Sequence, residues 1–393
     1  MLHALRTLPR TVWLVGAISF LNDGASDLIY PLIPLYLSSV MMAGPRALGL
    51  IEGVAEATSS LLRLVSGVLR DRTGRTRPWI LTGYGLAGVG RPLIAFIGSW
   101  PWLLVIRFGD RVGKGLRSAP RDALLAASVD PARRGLAFGV HRAMDNAGAV
   151  VGPIAASLLL AAGVPLRDVF LWSVVPAALC ILLALQLKDP PRPPAVPLAE
   201  LPVRDWSLSQ LPLAMRRYLL VLALFTLGNS SNLFLLLRAR ELGVPAAQVP
   251  LLWAAVSAIA MILATPLSAW SDRIGRRRLL IGGYVAYAAF YAAMAFMSGS
   301  GLALFLLFAA YGTFMAATEG VEKALVADLA LASREGTAFG WFHLVSGLML
   351  LPASVLFGLV YQAVSPAAAF GISAGCAAMA ALVLATWVRI PRV

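Results

Sequence analysis

Gly67-Val68-Leu69-Arg70-Asp71-Arg72-Thr73-Gly74-Arg75-Thr76-Arg77 and Leu267-Ser268-Ala269-Trp270-Ser271-Asp272-Arg273-Ile274-Gly275-Arg276-Arg277-Arg278 are two copies of one basic turn, Asp-Arg-x-Gly-Arg. Each lies between two long apolar segments. Their aspartates are 201 residues apart (272 − 71 = 201), close to half of the 393-residue chain. Gly135-Leu136-Ala137-Phe138-Gly139 and Gly336-Thr337-Ala338-Phe339-Gly340 repeat at the same offset, as do Ala123-Leu124 and Ala324-Leu325. Ser26-Asp27-Leu28 answers Ser231-Asn232-Leu233 at a shift of 205. Chance likeness between apolar helices explains shared Leu and Ala, but not two such turns. The chain reads as a duplicated bundle that keeps one turn in both halves.

Composition identifies the solvent. Hydrophobic residues make up 59% of the chain and charged residues 13%, with a mean hydropathy of +0.79. Soluble domains average about 25% charged residues, and a soluble chain this apolar lacks polar groups to cover its surface. A helix crossing the hydrocarbon needs roughly 20 mostly apolar residues. By that measure there are about twelve spans, near 12–40, 46–70, 78–98, 101–127, 134–163, 166–187, 216–240, 247–270, 278–298, 301–329, 335–363 and 366–389. The expected fold is an all-α membrane protein of two six-helix bundles, at 1–187 and 216–393. Between them, 188–215 is rich in proline, which favours extended chain. The apolar run after Arg6 and Arg10 is too long for a leader peptide and holds Asp23 and Asp27, so it reads as the first span. Cys180 and Cys376 fall inside apolar segments and read as packing residues.

The net charge is +14. Its placement argues against a nucleic-acid partner. Basic residues crowd alternate loops: Arg6 and Arg10, Arg70 to Arg77, Arg133 and Arg134, Lys188 to Arg217, Arg273 to Arg278, Arg334, and Arg389 with Arg392. The opposite loops hold only Arg46, Arg167 and Arg240 as exceptions. This is the positive-inside asymmetry. It places both termini and the linker in the cytoplasm of a multi-pass protein of the bacterial inner membrane type.

Turns, duplication and topology together make the chain similar to the major facilitator superfamily along nearly its whole length. The turn at 67–77 resembles that family's signature loop between the second and third helices, and 272–278 resembles its weaker echo between helices eight and nine. In the fourth span, Arg111-Val112-Gly113-Lys114-Gly115 resembles the Arg-x-x-Gln-Gly motif, with Lys114 where glutamine is usual. In the fifth, Gly139, Gly148 and Gly152-Pro153 resemble the motif associated with antiporters, although Ala156-Ser157 replaces its trailing Gly-Gly. The resemblance implies a monomeric secondary transporter without a cofactor, alternating between two openings.

The residues support roles of their own. Gly74 permits a sharp turn. Asp71 can cap a helix N-terminus, and the arginines can bridge to a carboxylate on the other bundle. A bond made in one state and broken in another biases a two-state equilibrium. Asp71, Arg72, Gly74, Arg75, Asp272 and Arg273 are therefore gating candidates. Gly148 and Gly152, four apart, let a neighbouring helix come close, and Pro153 adds a weak point. These three join the set.

Ionisable residues inside spans are costly and usually face a cavity or a partner. Asp23 and Asp27 share a face of span one, and Glu52, Glu56 and Arg63 share a stripe of span two. Arg107, Arg111, Lys114 and Arg121 form a basic stripe on span four, with Asp110 beside it. A buried network is expected among Asp23 or Asp27, Glu56, Arg111 and Asp145. Asp23, Asp27, Glu56, Asp110, Arg111 and Asp145 are the proton-coupling candidates. Asp27, Glu52, Arg107, His141, Arg142, Asn229, Asn232, Glu319 and Glu322 are the substrate candidates. The bland alternative is a structural ion-pair lattice, above all for Arg121 and Asp122.

No Gly-x-x-x-x-Gly-Lys-Ser/Thr loop occurs, so ATP is not the expected drive. His3, His141 and His343 are too scattered for a metal triad, and no Cys-x-x-Cys exists. No nucleophile and base stand at a recognisable spacing, so an enzyme is not expected. The expected function is transport of a small organic molecule by proton-coupled antiport, with protons and membrane lipid as the other partners. The alternatives are a proton-linked importer of a polar or anionic metabolite or chelate, and a lipid flippase.

Overall fold

The computed structural model describes residues 5–33, 36, 41, 45–189, 207–229, 232–244, 249–299, 301–331 and 334–388. Side chains at 31, 45–57, 233, 236, 240, 249–251 and 253–254 lie outside that description, and Glu52 and Glu56 are among them. All regular structure among the described residues is helical. The helices are α1 (Arg10–Ile29), α2 (Pro45–Thr73), α3 (Arg77–Leu93), α4 (Trp100–Ala127), α5 (Arg134–Ala161), α6 (Leu166–Trp172), α7 (Val174–Ala184), α8 (Leu213–Gly228), α9 (Leu233–Glu241), α10 (Val249–Ile274), α11 (Arg276–Phe296), α12 (Leu302–Leu329), α13 (Glu335–Ala363) and α14 (Pro366–Trp387).

With α6 and α7 joined as one span broken at Ser173, and α8 with α9 as another, these make twelve spans. They follow the sequence divisions to within a few residues, apart from the end of the first span, expected near 40, which lies outside the described residues. Span seven starts at Leu213, behind Pro212, three residues ahead of the expected 216. Most of the proline-rich segment lies outside the described residues. Among the described residues, seven stretches are long and apolar enough to cross a membrane by length and composition. Helices α2 and α4 are as long, at 29 and 28 residues, but carry more charge. They belong to the half that holds most of the acid–base groups.

Local chemistry sets the ends. Gly74 and Gly275 sit at φ 63° and 95°, in the left-handed region that glycine tolerates best. That reversal turns α2 into α3 and α10 into α11. Pro9, Pro165 and Pro212 precede the first residues of α1, α6 and α8, where a missing N–H costs nothing.

The first six spans and the last six meet along one seam. Helix α5 packs on α10 and α12, and α13 packs on α2 and α4. Glycines set the closeness of approach. A Cβ at Gly139 would lie 2.9 Å from the Ala264 carbonyl, and one at Gly340 would lie 3.1 Å from the Arg63 carbonyl. Gly139 and Gly340 are equivalent positions of the two copies, and so are Arg63 and Ala264. The sequence repeat Gly135–Gly139 and Gly336–Gly340 is thus the contact face of each half.

Candidate functional site: the seam and its cavity

At the arginine-rich end each half caps a helix of the other. Asp71 accepts hydrogen bonds from the Gly336 N–H at 2.9 Å, the Thr337 N–H at 2.6 Å and the Thr337 hydroxyl at 2.8 Å. Asp272 accepts from the N–H groups of Gly135 and Leu136, both at 3.0 Å. The first N–H groups of a helix lack partners within it, and the helix dipole favours a carboxylate there. The two caps are therefore one contact made twice, at equivalent positions of the copies. Around them Arg70 bonds Asp71 at 2.9 Å, Arg276 bonds Asp272 and Asp328, and Arg134 bonds Asp328 at 3.1 Å and Glu335 at 3.2 Å. Arg75 and Arg273 are exposed. Across the seam Arg134 bonds Asp328 and Glu335, and the turn arginine Arg276 donates to the Pro131 carbonyl at 3.0 Å while also holding Asp272 on its own side.

Deeper along the seam, Asp122 of α4 is fully buried. It meets Lys323 of α12 at 3.0 Å, His343 of α13 at 2.9 Å and its neighbour Arg121 at 3.0 Å. Asp122 and Lys323 stand at the same offset as the two turns. So do Phe138 and Phe339, whose ring centroids are 5.9 Å apart. Opposite charges thus occupy equivalent positions in the two copies and face each other across the pseudo-twofold axis.

A third layer joins α5 to α12. Arg142 donates to Asp145 of its own helix at 3.0 Å and, through Nε, to Glu319 of the other half at 2.8 Å. His141 bonds Ser19 of α1 at 2.9 Å and lies 3.7 Å from Asp145. The carboxylate of Asp23 feels the charges of Asp145, Arg121 and Arg117, and that of Asp27 feels Asp23, Arg91, Lys114 and Arg111. Arg111, Lys114 and Arg121 of the α4 stripe thus lie close enough to the carboxylates of α1 to act on them. Asp110 is held by Arg91 at 3.0 Å and Arg107 at 3.6 Å, and Arg91 also donates to Asn22 at 3.2 Å, whose amide donates to Asp23 at 2.7 Å. The charges of α1, α3, α4 and α5 thus form a linked set inside the first half, and Arg142 carries it to Glu319 of the second half. Glu56, the other member expected, lies outside the described side chains.

Gly148 and Gly152 serve a contact within the first half. A Cβ at Gly148 would lie 2.9 Å from the Gly24 nitrogen, and one at Gly152 would lie 2.7 Å from the Leu28 nitrogen. They seat α5, with Pro153 inside it, on the face of α1 that carries Asp23 and Asp27.

The second half holds a polar cavity of ≈ 170 Å³ walled by Phe225, Asn229, Asn232, Phe314, Glu319 and Glu322, among others. The break between α8 and α9 brings Asn229 and Asn232 to it. Irregular backbone at membrane depth is tolerated where it lines such a space. Tyr284 donates to Glu322 at 2.9 Å, Tyr287 to Asn229 at 3.2 Å and Tyr311 to Asn232 at 2.9 Å. A larger hollow of ≈ 500 Å³ between α1, α5 and α7 has an apolar wall that includes Trp172, Val175 and Leu179. All three are exposed on the outside of the bundle, so it is no passage between the halves.

Sequence reasoning missed Arg91, Arg134, Asp328, Glu335 and Tyr284. It also set Asp122 aside as surface lattice. The signal for Asp122 was present: opposite charges at the repeat offset, beside the matched pairs Ala123-Leu124 and Ala324-Leu325.

Comparison with known proteins agrees with this architecture. The family model of the Major Facilitator Superfamily matches residues 13–238 and again 218–393. An uncharacterized MFS-type transporter of Methanocaldococcus jannaschii is 32% identical over 93% of this chain and 92% of its own. A multidrug resistance protein, MdtG, of Enterobacter lignolyticus is 26% identical over 76% of this chain and 74% of its own. Among solved structures, the E. coli fucose:proton symporter FucP superposes with a TM-score of 0.77 at 16% identity, covering 95% of this chain and 97% of that one. A bacterial homologue of the iron transporter ferroportin, in an outward-facing state, superposes with a TM-score of 0.74 at 19% identity, covering 96% and 99%. Fold, duplication, the paired turns and these matches converge: the chain is a multi-pass membrane transporter, not an enzyme, and belongs to the Major Facilitator Superfamily.

Proposed function

We propose that the protein exports a small organic molecule in exchange for protons, by rocking its two halves about the seam. The observation that carries this reading is Arg142, which holds a carboxylate of its own half, Asp145, and one of the other half, Glu319. A proton taken up by either carboxylate removes one charge from that grip. A charge-assisted bond is about twice as strong as a neutral one, so protonation and the closeness of the halves are linked. Asp23, Asp27 and Glu56 complete the proposed proton path, and Arg111 sets the charge beside Asp27. Asp110, clamped by Arg91 and Arg107, anchors that basic pair. Asn229, Asn232, Glu319 and Glu322 offer the substrate surface, while Asp71, Asp272 and their glycine contacts act as the gate. The arginine-rich end faces the cytoplasm by the positive-inside asymmetry, so this structure has its cytoplasmic side shut.

The direction is supported by the multidrug resistance relatives and by the antiporter-like Gly148 and Gly152-Pro153. The basic stripe that favoured an anion importer faces acids of its own half. In proteoliposomes with an imposed pH gradient, substrate and protons should move in opposite directions. Movement in the same direction, or transport indifferent to the gradient, contradicts the proposal. Asp27→Asn and Asp145→Asn should each abolish the dependence on the gradient while leaving substrate binding within about threefold, roughly 0.65 kcal/mol.

A further inference from the structure

Deepening that reading, we propose that the cavity of the second half takes a cation: a small, single-ring organic ammonium or a similar delocalised cation. Its own wall carries two carboxylates, Glu319 and Glu322, and no basic side chain. The positive charge nearest to them, Arg142, comes from the opposite half. Lys323, next along α12, is turned to Asp122. Phe225, Tyr311 and Phe314 supply its aromatic part, and Asn229 and Asn232 a neutral polar part. Phe225 is stacked on Tyr284, with centroids 4.0 Å apart and planes 7° apart, and it also packs against Tyr287 and Phe314. One face of Phe225 is thus spent on Tyr284. The rings are held in place, and a ring face attracts a cation within about 6 Å. Size limits the guest: the space is ≈ 170 Å³, and a cavity of about 150 Å³ holds benzene.

The structure already seats a cation against Glu319, the guanidinium of Arg142. A substrate cation that pairs with Glu319 replaces Arg142 there. Arg142 keeps Asp145 but loses its hold on the other half. Substrate binding then loosens the seam at one of the residues that join the two halves. A ligand shifts a conformational equilibrium only by its differential affinity for the two states. Competition for one carboxylate supplies that difference. A neutral molecule of the same size has no such means, and an anion would have to compete for an Arg142 that Asp145 also holds while lying against the carboxylates of the cavity wall.

The test uses the purified full chain in detergent and three probes that share one ring: benzylammonium, benzenesulfonate and benzyl alcohol. Benzylammonium should raise the thermal unfolding midpoint in a concentration-dependent way, and the other two should not. Glu322→Gln should weaken its apparent affinity by about tenfold, as expected for one lost charge-assisted contact, while Glu322→Asp keeps the preference for the cation. The wild-type preference among the probes reads the charge of the site without any variant. Equal or stronger stabilisation by benzenesulfonate or benzyl alcohol, no stabilisation by the cation, or unchanged affinity in Glu322→Gln would each overturn the inference. The inference rests on the export reading but fails separately from it. Gradient-driven counter-movement of an anion would sink the cation site and leave export standing. Cation binding with no proton movement would sink proton-coupled export and leave the site.

Discussion

Asp122 has no exposed surface and is the meeting point of Arg121, Lys323 and His343. Removing one member of a buried ion pair strands the other, at about 3–5 kcal/mol, whereas replacing both with apolar residues is often neutral. Asp122→Asn should therefore lower the unfolding free energy in detergent by an amount within that range, and Asp122→Leu with Lys323→Met should recover part of it, the share that belongs to the Lys323 pair. Equal losses in the single and the double variant would show that the two charges do not act as a pair. The caps make a second prediction. Asp71→Ala and Asp272→Ala each remove an N-terminal cap, worth about 1–2 kcal/mol. The positions are equivalent, so the two losses should be alike. A reporter at Ser268→Cys, which touches Gly135 and Gly139, should react faster with a maleimide in both. Asp71 as a cap was legible from sequence, because a carboxylate beside a reversing glycine has few other uses. The partners were not. They lie about 265 residues away, and only packing decides which helix N-terminus arrives there.

The decisive elements are α5 and α13, whose glycines face the other half. At Gly139 a side chain would come within 2.7 Å of Ser268 Cβ and 3.0 Å of Thr265 Cα. At Gly340 it would come within 2.9 Å of Leu64 Cα. Forcing methyl groups into a packed contact costs about 1–3 kcal/mol. Here that cost falls on the state in which the seam is shut, so Gly139→Val and Gly340→Val should shift the population towards the opened end. Greater maleimide reactivity at Ser268→Cys would report that shift, and reactivity no faster than in the parent would argue against it. Span positions were legible because length and hydropathy report them directly. Breaks at Ser173 and between α8 and α9 were not, since each interrupts a run that stays apolar on both sides. The second break matters most, because it brings Asn229 and Asn232 to the cavity. The pairing of Gly148 and Gly152 with α1 was legible only as a close approach to some helix.

Over the whole molecule, one repeat offset recurs in the caps, the glycine faces, the Asp122–Lys323 pair and the Phe138–Phe339 contact. Copies that meet through equivalent surfaces form one seam along an axis, and a seam closed at one end leaves motion about that axis as the simplest way to open it. Duplication, topology and the membrane class were legible from composition and from two turns. Which charges cross the seam was not, because helix periodicity gives a face and not the neighbour it meets. The central claim is that the arginine-rich end opens and shuts. Spin labels at Arg75→Cys and Arg273→Cys, both exposed and in opposite halves, with Cys180 and Cys376 replaced by serine, read that motion as a distance. A second, longer distance should grow at the expense of the first when substrate and protons are supplied. A single distance that stays fixed under every condition, in a preparation shown to transport, would contradict the account.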